Sequence, residues 1–187
     1  MTGTGKTSLL KVILGLLTPE TGSVSICGAN IRQYSRSDLV RTVGTVFQTP
    51  WLFSGTLRDN VVMVQQDIGD DMVLRCLTAA GARFVTVGGE AGLDIHIEER
   101  CNNLSGGQKY AVMLARAMVF RPKVYPLNEP TSAMDRQMED SVLDTLTTQL
   151  TDRTLVIVTH KPSLVAMCDR VLVLSQGRIV GDRSVKV

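Results

Sequence analysis

Near the start of the chain, Gly3, Thr4, Gly5, Lys6, Thr7 and Ser8 form a glycine-rich stretch that leads into an apolar periodicity. Glycines ahead of a helix leave backbone N–H groups unpaired and pointing outward. Those groups and the positive helix end together bind phosphate oxygens. In such a loop the Lys6 ammonium reaches the β- and γ-phosphates of a nucleotide, and the Thr7 hydroxyl ligates Mg2+. The full pattern is G-x-x-x-x-G-K-[ST], and its first glycine falls one place before Met1. A short motif of this kind also describes a flexible turn before an ordinary amphipathic helix. About a hundred residues on, Ser105, Gly106, Gly107 and Gln108 sit where loop gives way to helix, a second N-terminus suited to an anion. A lone S-G-G is weak, since it also describes any glycine-containing helix cap.

These residues need elements to hold them. Leu9, Val12, Ile13 and Leu16 recur at helical spacing, which predicts a helix from about Lys6 to Leu17, ended by "TPETG". "SVSI" reads as a short strand closed by Gly28, and "VGTVF" (Val43 to Phe47) as a second. Mixed helical character runs from about Ser54 to Ala82. After Gly106-Gly107 comes a helix with Ala111, Leu114, Ala115 and Met118 on one face. "VYPL" (Val124 to Leu127) and "TLVIVTH" (Thr154 to His160) are continuous apolar runs, suited to strands buried on both faces. Pro126 falls inside the first of these, where it cannot donate to a ladder. "DRVLVLSQGRIVG" reads as two strands joined at Gln176-Gly177. The class is α/β with a largely parallel sheet.

At 187 residues and 44% hydrophobic, the chain can bury a sizeable core as one domain. A net charge of +2 is too mild to argue for nucleic acid or an anionic surface. Cys27, Cys76, Cys101 and Cys168 contain no C-x-x-C pair, so neither a zinc site nor a disulfide framework fits. They read as reduced thiols serving as small hydrophobes or surface groups. No apolar run reaches the roughly 18–20 residues that span a bilayer, so a membrane connection is expected to come through a partner or a part of the chain outside this sequence.

"NLSGGQKYAVMLARAM" followed by "NEPTSAMD" resembles the nucleotide-binding domain of ABC transporters, and the match covers nearly the whole chain. In order come a P-loop (Gly3 to Thr7), a Q-loop glutamine (Gln48 in "VFQTPWLFSGTLRDN") and the signature "LSGGQ" (Leu104 to Gln108). A Walker B-like "VYPLNEP", a D-loop (Ser132 to Asp135) and a switch histidine (His160 in "VIVTH") follow. "FQTPWLFSGTLRDN" and "GLDIHIEERCNNLSGGQ" look like the exporter branch, closest to the ATPase halves of bacterial type I secretion exporters. There a "VGERG" stretch precedes the signature. Glu99 and Arg100 match it, while Glu98 and Cys101 stand in place of glycines.

The resemblance implies a P-loop NTPase core, about 1–49 and 119–187, with a helical subdomain, about 50–118, carrying the signature. It implies ATP and Mg2+ as cofactors and a head-to-tail pairing, as a homodimer or with a second nucleotide-binding domain. Gly3, Thr4, Gly5, Lys6, Thr7 and Ser8 would hold phosphate from one side. Ser105, Gly106, Gly107 and Gln108 would meet the γ-phosphate from the opposite unit, with Asp135 also counted among the nucleotide-site residues. Gln48 would touch Mg2+ and the attacking water, Glu129 would act as general base, and His160 would bind the γ-phosphate. Thr7, Gln48 and Asn128 mark the metal position. A transmembrane domain is the implied partner, at the cytoplasmic face of a bacterial inner membrane. Nucleic acid is not: SMC-type DNA-repair ATPases insert long coiled-coil arms, and no heptads occur here.

Trp51 and Phe53 read as packing residues near Gln48, and His96 as a surface or core residue. In this family the adenine-stacking tyrosine lies upstream of the P-loop. Asn128 stands where the Walker B aspartate would be, keeping an acceptor oxygen but losing the charge that faces Mg2+. The expectation is a piece of a longer exporter whose P-loop strand is incomplete, leaving one sheet face under-covered. Two functions follow: an ATPase that drives export, or a nucleotide-binding module with little or no hydrolysis.

Overall fold

The computed structural model describes residues 4–47, 49, 51–63, 65, 67–82, 84–87, 92–132, 134 and 136–185. Gly5, with φ 90°, turns the chain into helix α1 (Lys6–Ile13). The helix is four residues shorter than the periodicity predicts. Gly15 takes φ 67° and donates to the Val12 carbonyl, while Leu16 N–H reaches the Lys11 carbonyl at 2.8 Å. These are the two bonds of a Schellman cap, so the glycine inside the apolar run is the stop. Strands β1 (Ser25–Ile26) and β2 (Ala29–Asn30) form a small antiparallel hairpin. Helix α2 (Arg36–Thr42) follows, capped by the Ser35 hydroxyl.

The 43–47 segment is not a regular strand. It meets β5 (Val124–Asn128) through isolated parallel bridges, Val43 with Val124 and Val46 with Leu127. Pro126 is the physical reason. Gly44 N–H donates to Val124 O at 3.0 Å, Val46 N–H to Pro126 O at 3.3 Å, and Asn128 N–H to Val46 O at 3.1 Å. The remaining rung of that register would be an N–H from residue 126 to the Gly44 carbonyl, and proline has none. On its other side β5 pairs in unbroken parallel register with β6 (Thr154–Val158).

Between these segments lie β3 (Gly55–Thr56), α3 (Leu57–Val62), α4 (Asp70–Ala79), α5 (Phe84–Val87) and β4 (His96–Ile97), with β3 antiparallel to β4. Helix α6 (Gly106–Met118) packs against α3 and α4. Its burial is wider than one face, because Tyr110, Val112, Met113 and Ala117 are buried along with the expected Ala111, Leu114, Ala115 and Met118. Helix α7 (Arg136–Thr148), the short α8 (Pro162–Ala166) and the antiparallel pair β7 (Arg170–Ser175) and β8 (Arg178–Ser184) complete the order. Gln176 and Gly177, both with positive φ, make the two-residue turn that the sequence predicts.

A contiguous apolar cluster runs from Val46 through α3, α4, α6 and β5 to Leu164. β5 is buried, whereas β6 is only partly so, and β7 and β8 are mostly exposed. The expectation that both apolar strands are covered on both faces therefore holds for β5 and not for β6. Among the described residues the only strand paired to β6 is β5. Cys76 and Cys101 are buried, Cys27 is exposed and Cys168 half-buried, and none forms a disulfide among the described residues.

Candidate functional site

Helix α1 packs against β5, which brings the glycine-rich start of the chain beside the strand that carries Asn128. No side chain caps α1, so its first N–H groups remain open to a ligand. Lys6 is half-buried and has no ion-pair partner among the described residues. Thr4 precedes the turn at Gly5, and Thr7 and Ser8 are exposed on the first turn of α1. An uncapped, positively polarised N-terminus with a free ammonium fits a phosphate. Gly3, Gln48 and Asp135 lie outside the described residues.

At the end of β5, Asn128 is buried and Glu129 takes the left-handed conformation, φ 50°. That turn costs energy for a residue with a Cβ and is fixed by a Glu129 N–H bond to the Val158 carbonyl at 2.8 Å. It brings the Glu129 carboxylate 3.0 Å from Nδ1 of His160. The carboxylate can only accept, so Nδ1 donates and Nε2 is left to face a ligand. The His160 side chain is 77% exposed and that of Glu129 14%, so the imidazole is the outer member of the pair. The two residues are 31 apart in sequence and are brought together by the parallel pairing of β5 with β6.

A clamp that sequence reasoning missed surrounds this pair. Lys161 Nζ donates to the Thr131 carbonyl at 2.7 Å and to Glu139 Oε2 at 2.6 Å, and Ser163 Oγ donates to Glu139 Oε1 at 2.8 Å. The hydrogen bonds from Lys161 and then Ser163 hold the Glu139 carboxyl below the usual glutamate range. The clamp ties the chain two residues beyond Glu129 to the residue after His160. No local pattern in sequence marks it, since Glu139 is one of several charged residues along α7 and Lys161 precedes a proline-started helix. The Thr131 side chain is fully buried beside this clamp.

The Ser105–Gln108 stretch caps α6. Ser105 Oγ accepts from Gln108 N–H at 3.2 Å, and Gln108 Oε1 accepts from Ser105 N–H at 2.8 Å. This capping box leaves the Gly106 and Gly107 N–H groups for a ligand. Gly107 has a packing role as well: a Cβ there would run into Sδ of Met138 on α7. Ser105 and Gln108 face α7 across a cleft of about 300 Å3. Among the described residues no cluster of His, Cys, Asp and Glu could hold a metal unaided. A Mg2+ here would have the Thr7 hydroxyl and Asn128 amide oxygens, and would need the phosphates of its nucleotide as further ligands.

Trp51 departs from its expected packing role. It is 63% exposed, with Phe53 tilted beside it at 6.1 Å between ring centroids. The backbone there is held by Arg116, whose guanidinium donates to the Trp51 carbonyl at 3.0 Å and the Asn60 carbonyl at 2.6 Å. Burial pushes the Arg116 pKa down to about 10. His96 is exposed on β4.

The sequence matches the family model described as ABC transporter over residues 1–132. It is 36% identical over 180 residues to ABC transporter B family member 22 of Arabidopsis thaliana, covering 95% of this chain and 15% of that protein. It is 35% identical over 183 residues to the mycobactin import ATP-binding/permease protein IrtB of Mycolicibacterium smegmatis, covering 98% of this chain and 32% of that one. The chain thus spans less than a third of these relatives' length. Among solved structures, a bacterial Atm1-family ABC exporter with ATP bound superposes with a TM-score of 0.89 at 28% identity, over 99% of this chain and 32% of that one.

Proposed function

The chain belongs to the ABC transporter family, and from that premise we propose that it is the nucleotide-binding unit of an exporter-type transporter, powering transport with ATP. The observation that carries this reading is an uncapped α1 N-terminus, with Lys6 unpaired among the described residues, packed beside the ends of β5 and β6 that place Asn128, Glu129 and His160. ATP supplies the phosphoryl group, and the chain's own residues position and stabilise it. Lys6 and the loop amides from Gly3 to Ser8 bind phosphate. Thr7, Gln48 and Asn128 stand at the metal. Glu129 takes the proton of the attacking water, and the hydrogen bond from His160 orients that carboxylate while Nε2 faces the γ-phosphate. Ser105, Gly106, Gly107, Gln108 and Asp135 serve the nucleotide of a second unit, a copy of this chain or a related domain. The division into a core at 1–49 and 119–187 and a helical subdomain at 50–118 belongs to the same reading.

The unit works at the cytoplasmic face of a membrane, joined to a transmembrane domain. No helix among the described residues is long and apolar enough to cross one. Support for the exporter branch comes from the Atm1-family superposition, and for type I secretion from the Glu99-Arg100 stretch alone. A second reading, binding with little hydrolysis, is favoured by one observation: the buried residue at the metal position is an amide, Asn128.

Nucleotide binding and turnover test both readings. Mg-ATP should bind to the 187-residue chain and lose affinity in Lys6→Ala. A charged hydrogen bond contributes roughly 1.5–3 kcal/mol, so the loss is on the order of 10- to 100-fold. Asn128→Asp should raise turnover, and Glu129→Gln should abolish the gain. Equal turnover with Asn128 and Asp would sink the charge argument, and ATP binding indifferent to Lys6 would sink the site.

A further inference from the structure

Three arginines from three separate segments of the chain line a cleft of about 350 Å3. Arg75 lies on α4, Arg121 in the turn between α6 and β5, and Arg153 in the turn before β6. The buried Cys76 and Tyr125 line the same cleft. Burial raises the Cys76 thiol pKa while Arg75 and Arg121 pull it down, and burial raises Tyr125 while Arg153 and Arg121 oppose it. All three arginines thus act electrostatically on the side chains buried at the floor of the cleft. No carboxylate lines it among the described residues, and none of the three arginines has an ion-pair partner there.

Backbone geometry fixes two of the three. Arg121 takes φ 51°, with its N–H donating to the Met118 carbonyl at 2.7 Å, and Arg153 N–H donates to Leu150 O at 3.0 Å. A left-handed arginine is strained, and the bond to the Met118 carbonyl holds the turn in that conformation beside the cleft. Like charges gathered without a counter-charge repel, so the arrangement is one that an anion would relieve.

We propose that this cleft binds the phosphate group of a small anionic ligand. Each guanidinium presents a planar fork of donors matched to phosphate oxygens, and Gln149 adds an amide. Met72, Met118 and Leu150 give an apolar surface on which an organic body attached to the phosphate can lie. The cleft is separate from the nucleotide site. Tyr125 lies near the start of β5 and Glu129 just past its end, about 13 Å along the strand at roughly 3.3 Å per residue.

The test is a calorimetric titration of the 187-residue chain in chloride buffer, with inorganic phosphate in one arm and AMP in another. Saturable binding is expected, weakened roughly tenfold or more by Arg121→Gln and by Arg153→Gln, and unchanged by Arg178→Gln on the exposed β8. Tighter binding of AMP assigns a phosphate monoester, and equal binding assigns free phosphate. Arg75 and Arg121 are exposed and Arg153 is half-buried, so Arg121→Gln should keep the parent urea midpoint, and Arg75→Gln replaces Arg153→Gln if that variant does not. The proposal is overturned by no saturation below about 1 mM, by binding that Arg121→Gln and Arg153→Gln leave unchanged, or by an equal loss in Arg178→Gln.

Discussion

Replacing Lys161 by methionine keeps the aliphatic stem and removes only the ammonium. Two bonds go with it, to the Thr131 carbonyl at 2.7 Å and to Glu139 at 2.6 Å. The partners are well shielded, with side chains 25% and 18% exposed, so solvent screening discounts the pair little. Hydrogen bonds to charged groups contribute roughly 1.5–3 kcal/mol, and Glu139 keeps its bond from Ser163; the expected loss is about 2–3 kcal/mol. Urea melts at neutral pH measure it. The pH dependence gives a second reading. Lys161 chiefly, with Ser163, holds Glu139 below the usual range, so its stabilisation is fully present above the unfolded-state value of about 4.3. It is lost as the pH falls through the lowered folded value, and Lys161→Met should flatten that acid-side loss. A double-mutant cycle with Glu139→Gln should give a coupling of about 1–2 kcal/mol. Additive single effects, or an unchanged acid-side slope, would refute the clamp. Because the clamp flanks the Glu129–His160 pair, its loss should lower ATP turnover more than ATP affinity.

Gly44→Ala places a Cβ 2.5 Å from the Ala117 carbonyl oxygen and 2.6 Å from Pro122, so the end of α6 must shift; a loss of about 1–3 kcal/mol in urea melts is expected. Asn128→Asp sets a second carboxylate in a buried position beside Glu129, which raises its folded pKa. The nucleotide-free variant should therefore be less stable at pH 7, by about 1–3 kcal/mol, with the loss relieved as the pH falls toward about 4. Equal melting of parent and variant at both pH values would show that the position is open to solvent.

Residues whose job is set by local backbone were legible in the sequence. Gly5 before Lys6, the Ser105-to-Gln108 cap and the Gln176-Gly177 turn each combine a residue type with the one conformation it favours. The fold class was legible for the same reason, since the two apolar β-branched runs became the parallel pair β5 and β6. Contacts that depend on distant elements were not. Nothing near Lys161 announces Glu139, and nothing near Arg116 announces the Asn60 carbonyl 56 residues earlier. Trp51 misled because large aromatics usually pack, whereas here its backbone is anchored and its ring is left outside. The end of α1 was written in Gly15, but leucines on both sides of it kept the helical period going.

Two departures sit two residues apart on β5, and they have different consequences. Pro126 removes one rung toward the 43–47 segment, but its carbonyl accepts from Val46 N–H at 3.3 Å and from the Thr45 hydroxyl at 2.9 Å. The next rung, Asn128 N–H to the Val46 carbonyl at 3.1 Å, is intact, and Glu129 N–H still reaches Val158 O at 2.8 Å. On the β6 side the register is unbroken from Val124 to Asn128. The backbone irregularity is thus absorbed before the strand reaches the site. What arrives there is a correctly placed peptide carrying an amide instead of a carboxylate. If Asn128 stands at a metal as proposed, a deficit in turnover at this strand end is expected to follow its side chain, and replacing Pro126 by a residue with an N–H should change stability and leave turnover alone.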